Sequence, residues 1–97
     1  ASHAKVQATA GYGAQVVLEG ANFDEAVAAA RARAQETGAV FVSAYDDDGV
    51  IAGQGSLGLE LLEDLPDVDT VVIPIGGFGL FAGVATAVKA ARPGCRI

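Results

Sequence analysis

One cysteine, one histidine and six basic residues are all that this 97-residue chain offers for disulfides, metal sites and nucleic-acid faces. A lone Cys95 excludes an internal disulfide and favours a reducing compartment, so a cytoplasmic protein is expected. No histidine lies near it in sequence to activate it as a nucleophile. His3 has no second ligand at helical spacing, so no metal site is expected. Six Lys and Arg against twelve Asp and Glu leave a net charge of −6, which excludes the basic face of a nucleic-acid partner. No apolar run reaches the roughly 18 residues of a membrane helix. No charged segment precedes a short apolar one, so neither a signal peptide nor a membrane partner is expected.

What is present is small and apolar. Hydrophobic residues make up 52 %, with alanine and glycine dominant. Small residues let helices lie close on sheets. Length alone allows a single domain with a modest core. The acids gather in Asp46-Asp47-Asp48 and between Glu60 and Asp69, and read as a solvated surface.

Helical and strand patterns alternate along the chain. Ser2 to Ala10 predicts a short helix ended by Gly11-Tyr12-Gly13. Gln15 to Leu18 predicts a strand. Asn22 is a good N-cap, and Glu25 supplies the other half of a capping box. The following helix places Phe23, Val27, Ala30 and Ala34 on one face and stops at Gly38. Val40-Phe41-Val42 is a second strand. Asp47 caps a helix from about Val50 to Leu65, within which Gly53 and Gly55 imply close backbone contact. Thr70 to Ile75 is a third strand. A helix from about Leu80 to Ala91 presents Leu80, Val84, Ala87, Val88 and Ala91 on one face, and Pro93-Gly94 ends it. Cys95-Arg96-Ile97 begins another strand. This order predicts an α/β fold with parallel strands and right-handed crossovers.

The segment Val71-Val72-Ile73-Pro74-Ile75-Gly76-Gly77-Phe78-Gly79-Leu80 carries the chemistry. A buried strand that runs through glycines into a helix N-terminus makes an anion site, because free amides and the helix dipole converge there. A tight turn needed only for packing reads equally well. Gly77 to Ala82 also fits the dinucleotide pattern G-x-G-x-x-A, but no Asp or Glu follows Asp69 to hold a ribose. A P-loop is excluded, since no Gly-Lys-Ser/Thr follows.

Other candidates read as structure. Asp46-Asp47-Asp48-Gly49 lacks the alternating acids and final glutamate of a calcium loop, and suits a turn and cap. Gly53-Gln54-Gly55-Ser56 lies within an apolar helical pattern, where close packing is favoured over ligand contact. Lys5 and Lys89 lack the desolvated setting of a reactive lysine.

Several segments together resemble threonine ammonia-lyase (threonine dehydratase) and the related serine racemases, which are fold-type II pyridoxal-phosphate enzymes. Lys5-Val6-Gln7-Ala8-Thr9 with Gly11-Tyr12-Gly13-Ala14-Gln15-Val16-Val17 resembles K-V-x-A-T-x-x-Y/F-G-A-x-V. Tyr45-Asp46-Asp47 followed by Val50-Ile51-Ala52-Gly53-Gln54-Gly55-Ser56 is similar to F-D-D-P-x-V-I-A-G-Q-G-T. Pro74-Ile75-Gly76-Gly77-Phe78-Gly79-Leu80 corresponds to P-V-G-G-G-G-L. The match covers nearly the whole chain in order.

The resemblance implies pyridoxal 5′-phosphate as cofactor, with its phosphate held by backbone amides of Gly76, Gly77, Phe78, Gly79 and Leu80. Phe78 departs from the family glycine, and it would strain the loop if the backbone needs φ > 0 there. The implied substrate is L-threonine or L-serine, lost by deaminating elimination to a 2-oxo acid, in a homo-oligomeric parent. The family's cofactor-bearing lysine segment, S-F-K-x-R-G-A, is not found here, so an inactive internal fragment is expected. Residues 1–45 correspond to the end of the small domain, βαβ-like, and residues 46–97 to part of the large domain with the glycine loop. The alternative is a noncatalytic α/β phosphate- or nucleotide-binding module.

Overall fold

A computed structural model describes residues 1–97 as four helices, α1 (His3–Gly11), α2 (Phe23–Thr37), α3 (Asp48–Asp64) and α4 (Gly79–Ala91). They fall into two compact units, Ala1–Phe41 and Val42–Ile97.

The first unit holds α1 and α2, neither of which buries a residue. Local chemistry sets the start of α2. The Glu25 amide donates to Asn22 Oδ1 at 3.0 Å. The Glu25 carboxylate accepts in return from the Ala21 amide at 2.9 Å and from the Asn22 side-chain amide at 2.8 Å. The reciprocal bond of this capping box thus lands one residue before the cap. Gly38 ends α2 in the left-handed region at φ 71. The Arg31 guanidinium lies 4.6 Å from the centre of the Phe41 ring.

The second unit is built on the packing of α3 against α4. Asp47 starts α3 by accepting from the Val50 amide at 3.0 Å. A Cβ added at Gly83 would meet the Ile51 carbonyl oxygen and lie 2.7 Å from the Gly55 nitrogen. One added at Gly58 would lie 3.0 Å from Ala87 Cβ. The two helices therefore touch backbone to backbone. Gly55 and Gly58 are the buried positions of α3. Gly53 faces open space, contrary to the close contact expected of it. Val84, Val88 and Cys95 form the fully buried centre, with Leu61, Leu62, Val68, Val71, Ile73 and Leu80 around it. Full burial of a valine is worth about 1.5–3 kcal/mol.

The expected strands do not assemble into a sheet within these residues. Only Thr70 pairs, in parallel, with Arg96. The Arg96 amide donates to the Asp69 carbonyl, and the Val71 amide to the Arg96 carbonyl, both at 2.8 Å. Residues 15–18 and 40–42, and the rest of 70–75, are irregular. The reason is that a strand is a pairing, and a parallel strand needs neighbours brought back by crossovers. Some of their apolar side chains stand open, Val72 at 91 % and Val40 at 87 % exposure, while Val71 and Ile73 pack against the core.

Candidate functional site

The glycine loop joins the extended segment that ends at Ile75 to the first turn of α4. Phe78 is the N-cap of α4, with φ 68 and ψ −9, and its side chain makes no cap bond. It is the one non-glycine residue of the chain in the left-handed region, while Gly76, Gly77 and Gly79 lie outside it. The first helical acceptor is the Phe78 carbonyl, which takes the Ala82 amide at 2.8 Å. The amides of Gly79, Leu80 and Phe81 therefore have no helical partner. No acidic residue occupies the first turn. These amides and the positive end of the α4 dipole face one place without an opposing charge.

Tyr45 sets the floor of the loop. A Cβ on Gly77 would clash with the Tyr45 ring, and one on Gly79 would lie 2.9 Å from the Tyr45 backbone. Both glycines are thus required by packing. The Ser43 hydroxyl accepts from the Asp46 amide at 3.1 Å and tightens the turn that carries Tyr45. Gly76 differs, since nothing lies within 4 Å of a Cβ built there. Beside it is a cavity of about 230 Å³, lined by Ala44, Tyr45, Gln54, Gly76, Phe78 and Leu80 among others. Phe78 is 59 % exposed. Its ring meets Phe81 edge-on, with centroids 6.1 Å apart at 82°.

A phosphate monoester suits this cradle. The donors are backbone amides, the approach at Gly76 is open, and no carboxylate lines the cavity. All five residues expected at the site, Gly76, Gly77, Phe78, Gly79 and Leu80, line it together. Tyr45 and Gln54 were not expected there. Tyr45 lies 32 positions before Gly77, and no local pattern announces that approach. Gln54 carried one signal, as a polar residue within the apolar run of α3.

Other reactive groups lie elsewhere. Lys89 Nζ donates to the Pro93 carbonyl at 3.0 Å, beyond the far end of α4. Lys5 is an exposed residue of α1. Cys95 is buried in the core. The aspartates form no metal-binding cluster.

The family model for "pyridoxal-phosphate dependent enzyme" matches residues 1–97. An L-threonine ammonia-lyase of Geobacter sulfurreducens is 57 % identical over 93 residues, which are 96 % of this chain and 23 % of that protein. The catabolic L-threonine dehydratase TdcB of Escherichia coli K12 is 50 % identical over 97 residues, all of this chain and 30 % of that protein. The structure of maize serine racemase superposes with a TM-score of 0.93 at 38 % identity, covering 99 % of this chain and 29 % of the racemase. The processed form of threonine deaminase isoform 2 from Solanum lycopersicum gives 0.86 at 42 % identity, covering 96 % of this chain and 27 % of the deaminase. The chain thus spans less than a third of the length of these relatives.

Proposed function

This chain belongs to the pyridoxal-phosphate dependent enzyme family, and from that premise we propose that its glycine loop grips the phosphate of pyridoxal 5′-phosphate. The protein that carries it performs a deaminating elimination, turning L-threonine or L-serine into a 2-oxo acid and ammonia. The observation that carries the site is the cluster of amides at the head of α4, without helical partners and open to solvent at Gly76. The names of the relatives, threonine ammonia-lyase and dehydratase, support the reaction.

Each residue then has a task. The amides of Gly76, Gly77, Phe78, Gly79 and Leu80 donate to the phosphate oxygens, and the α4 dipole adds to their attraction. Charge-assisted bonds of this kind are about twice as strong as neutral ones. Tyr45 holds Gly77 and Gly79 in place before the ligand arrives, so little ordering is left to oppose binding. When bound, the cofactor supplies an electron sink for negative charge at the substrate α-carbon. No lysine lines the cavity, and proton transfer is not assigned to any of these residues. These residues serve alignment, holding the ring by one end.

The same reading extends to architecture. We take the whole as a fold-type II α/β enzyme, in which residues 15–18, 40–42 and 70–75 join parallel sheets. The parallel bridge between Thr70 and Arg96 supports this arrangement. Residues 1–45 would close the small domain and residues 46–97 belong to the large one. The division of the chain after Phe41 lends support. We further read the enzyme as a cytoplasmic homo-oligomer acting on a small amino acid, without nucleic-acid or membrane partners. The net charge of −6 speaks against a nucleic-acid partner. No helix is long and apolar enough to cross a membrane.

The experiment is an assay of the full-length protein with pyridoxal 5′-phosphate and either amino acid. The expected products are 2-oxobutanoate from L-threonine or pyruvate from L-serine, each with equimolar ammonia. Absence of both keto acids contradicts the reading.

A further inference from the structure

The loop places its backbone freedom in an unexpected position. Gly76, Gly77 and Gly79 are outside the left-handed region, and Phe78 alone lies in it, at φ 68. A glycine would adopt that conformation without strain. A strained residue persists where its surroundings hold it, and such outliers cluster at ligand clamps. Phe78 is not held by burial, since it is 59 % exposed. Its ring meets Phe81 edge-on, 6.1 Å between ring centres, and both residues line the cavity beside Gly76 and Gly79. An apolar ring beside an amide cradle displaces water. Hydrogen bonds from amides to an anion strengthen as the local dielectric falls.

We propose that the Phe78 ring, braced on Phe81, is a cover over the phosphate grip that slows exchange of the cofactor with solvent. The inference rests on the reading of the loop as that grip. It gives Phe78 a positioning role distinct from that of its amide: the amide binds, and the ring retains. The occupant is a phosphate monoester, and the readout is its rate of departure.

The test uses the full-length protein loaded with pyridoxal 5′-phosphate, as wild type, Phe78→Gly and Phe78→Leu. Cofactor release is followed by absorbance after dilution into an excess of a scavenging apoenzyme, and the melting point of each cofactor-free protein is recorded. Phe78→Gly relieves backbone strain but loses the ring contact and adds chain entropy, so its melting point should shift by only a few degrees. Release should quicken at least fivefold in Phe78→Gly, with Phe78→Leu intermediate because it keeps apolar bulk without the ring edge. Release as slow as wild type in Phe78→Gly overturns the cover and leaves the grip intact. A wild-type protein that takes up no cofactor overturns the grip and the cover together.

Discussion

Gly77 lies so close against Tyr45 that a Cβ placed on it clashes with the ring. The loop glycines thus divide by purpose. Gly77 and Gly79 make room for Tyr45 from below, and Gly76 leaves room for a ligand from above. Gly77→Ala and Gly79→Ala in the full-length protein should each destabilise by about 1–3 kcal/mol, the usual cost of overpacking. Urea unfolding of the cofactor-free protein measures it. A urea midpoint unchanged in both variants would show that Tyr45 yields freely.

The crossing of α3 and α4 gives a second prediction. At Gly83 an added methyl meets backbone, the Ile51 oxygen and the Gly55 nitrogen, and backbone cannot rotate aside as a side chain can. Gly83→Ala should cost about 2–3 kcal/mol. Because α4 carries the amides and α3 follows directly after Tyr45, the variant should also bind pyridoxal 5′-phosphate less tightly. Equilibrium unfolding and cofactor titration of the same preparation check both effects.

The caps make a third. Asn22→Ala and Asp47→Ala each remove one acceptor for a helix-end amide, the bonds to Glu25 and Val50 at 3.0 Å. Each should cost about 1 kcal/mol. Asp47 lies two residues from Tyr45, so Asp47→Ala should also loosen the cofactor, whereas Asn22→Ala should leave its affinity unchanged. Equal effects of the two variants on binding would contradict that division.

What could be read from the sequence was local. Asn22, Glu25, Gly38 and Asp47 act within a few residues, and each occupies the position its chemistry dictates. Of the face expected for α4, Leu80, Val84, Ala87, Val88 and Ala91, the first four turn inward with Val84 and Val88 fully buried, and Ala91 at the helix end is exposed. Strands were another matter. Val71 and Ile73 do pack inward, but the hydrogen bonds that define a strand depend on neighbours that no local pattern supplies. The site was half legible. The loop announced its amides through its glycines and the following helix. The reason for Gly77 and Gly79 was hidden, because Tyr45 reaches them from 32 and 34 positions away. Phe78 was legible as a departure, and the structure adds that the left-handed backbone conformation is indeed found there.

The most direct test of the phosphate grip compares pyridoxal 5′-phosphate with pyridoxal, which lacks the phosphate, on the full-length protein as wild type and Gly76→Ala. Gly76 has open space around it, so the substitution should leave the melting point of the cofactor-free protein unchanged. The wild type should prefer the phosphorylated form strongly. In Gly76→Ala that preference should fall at least tenfold, about 1.4 kcal/mol, with the affinity for pyridoxal unaltered. A preference that survives the substitution undiminished would contradict the account.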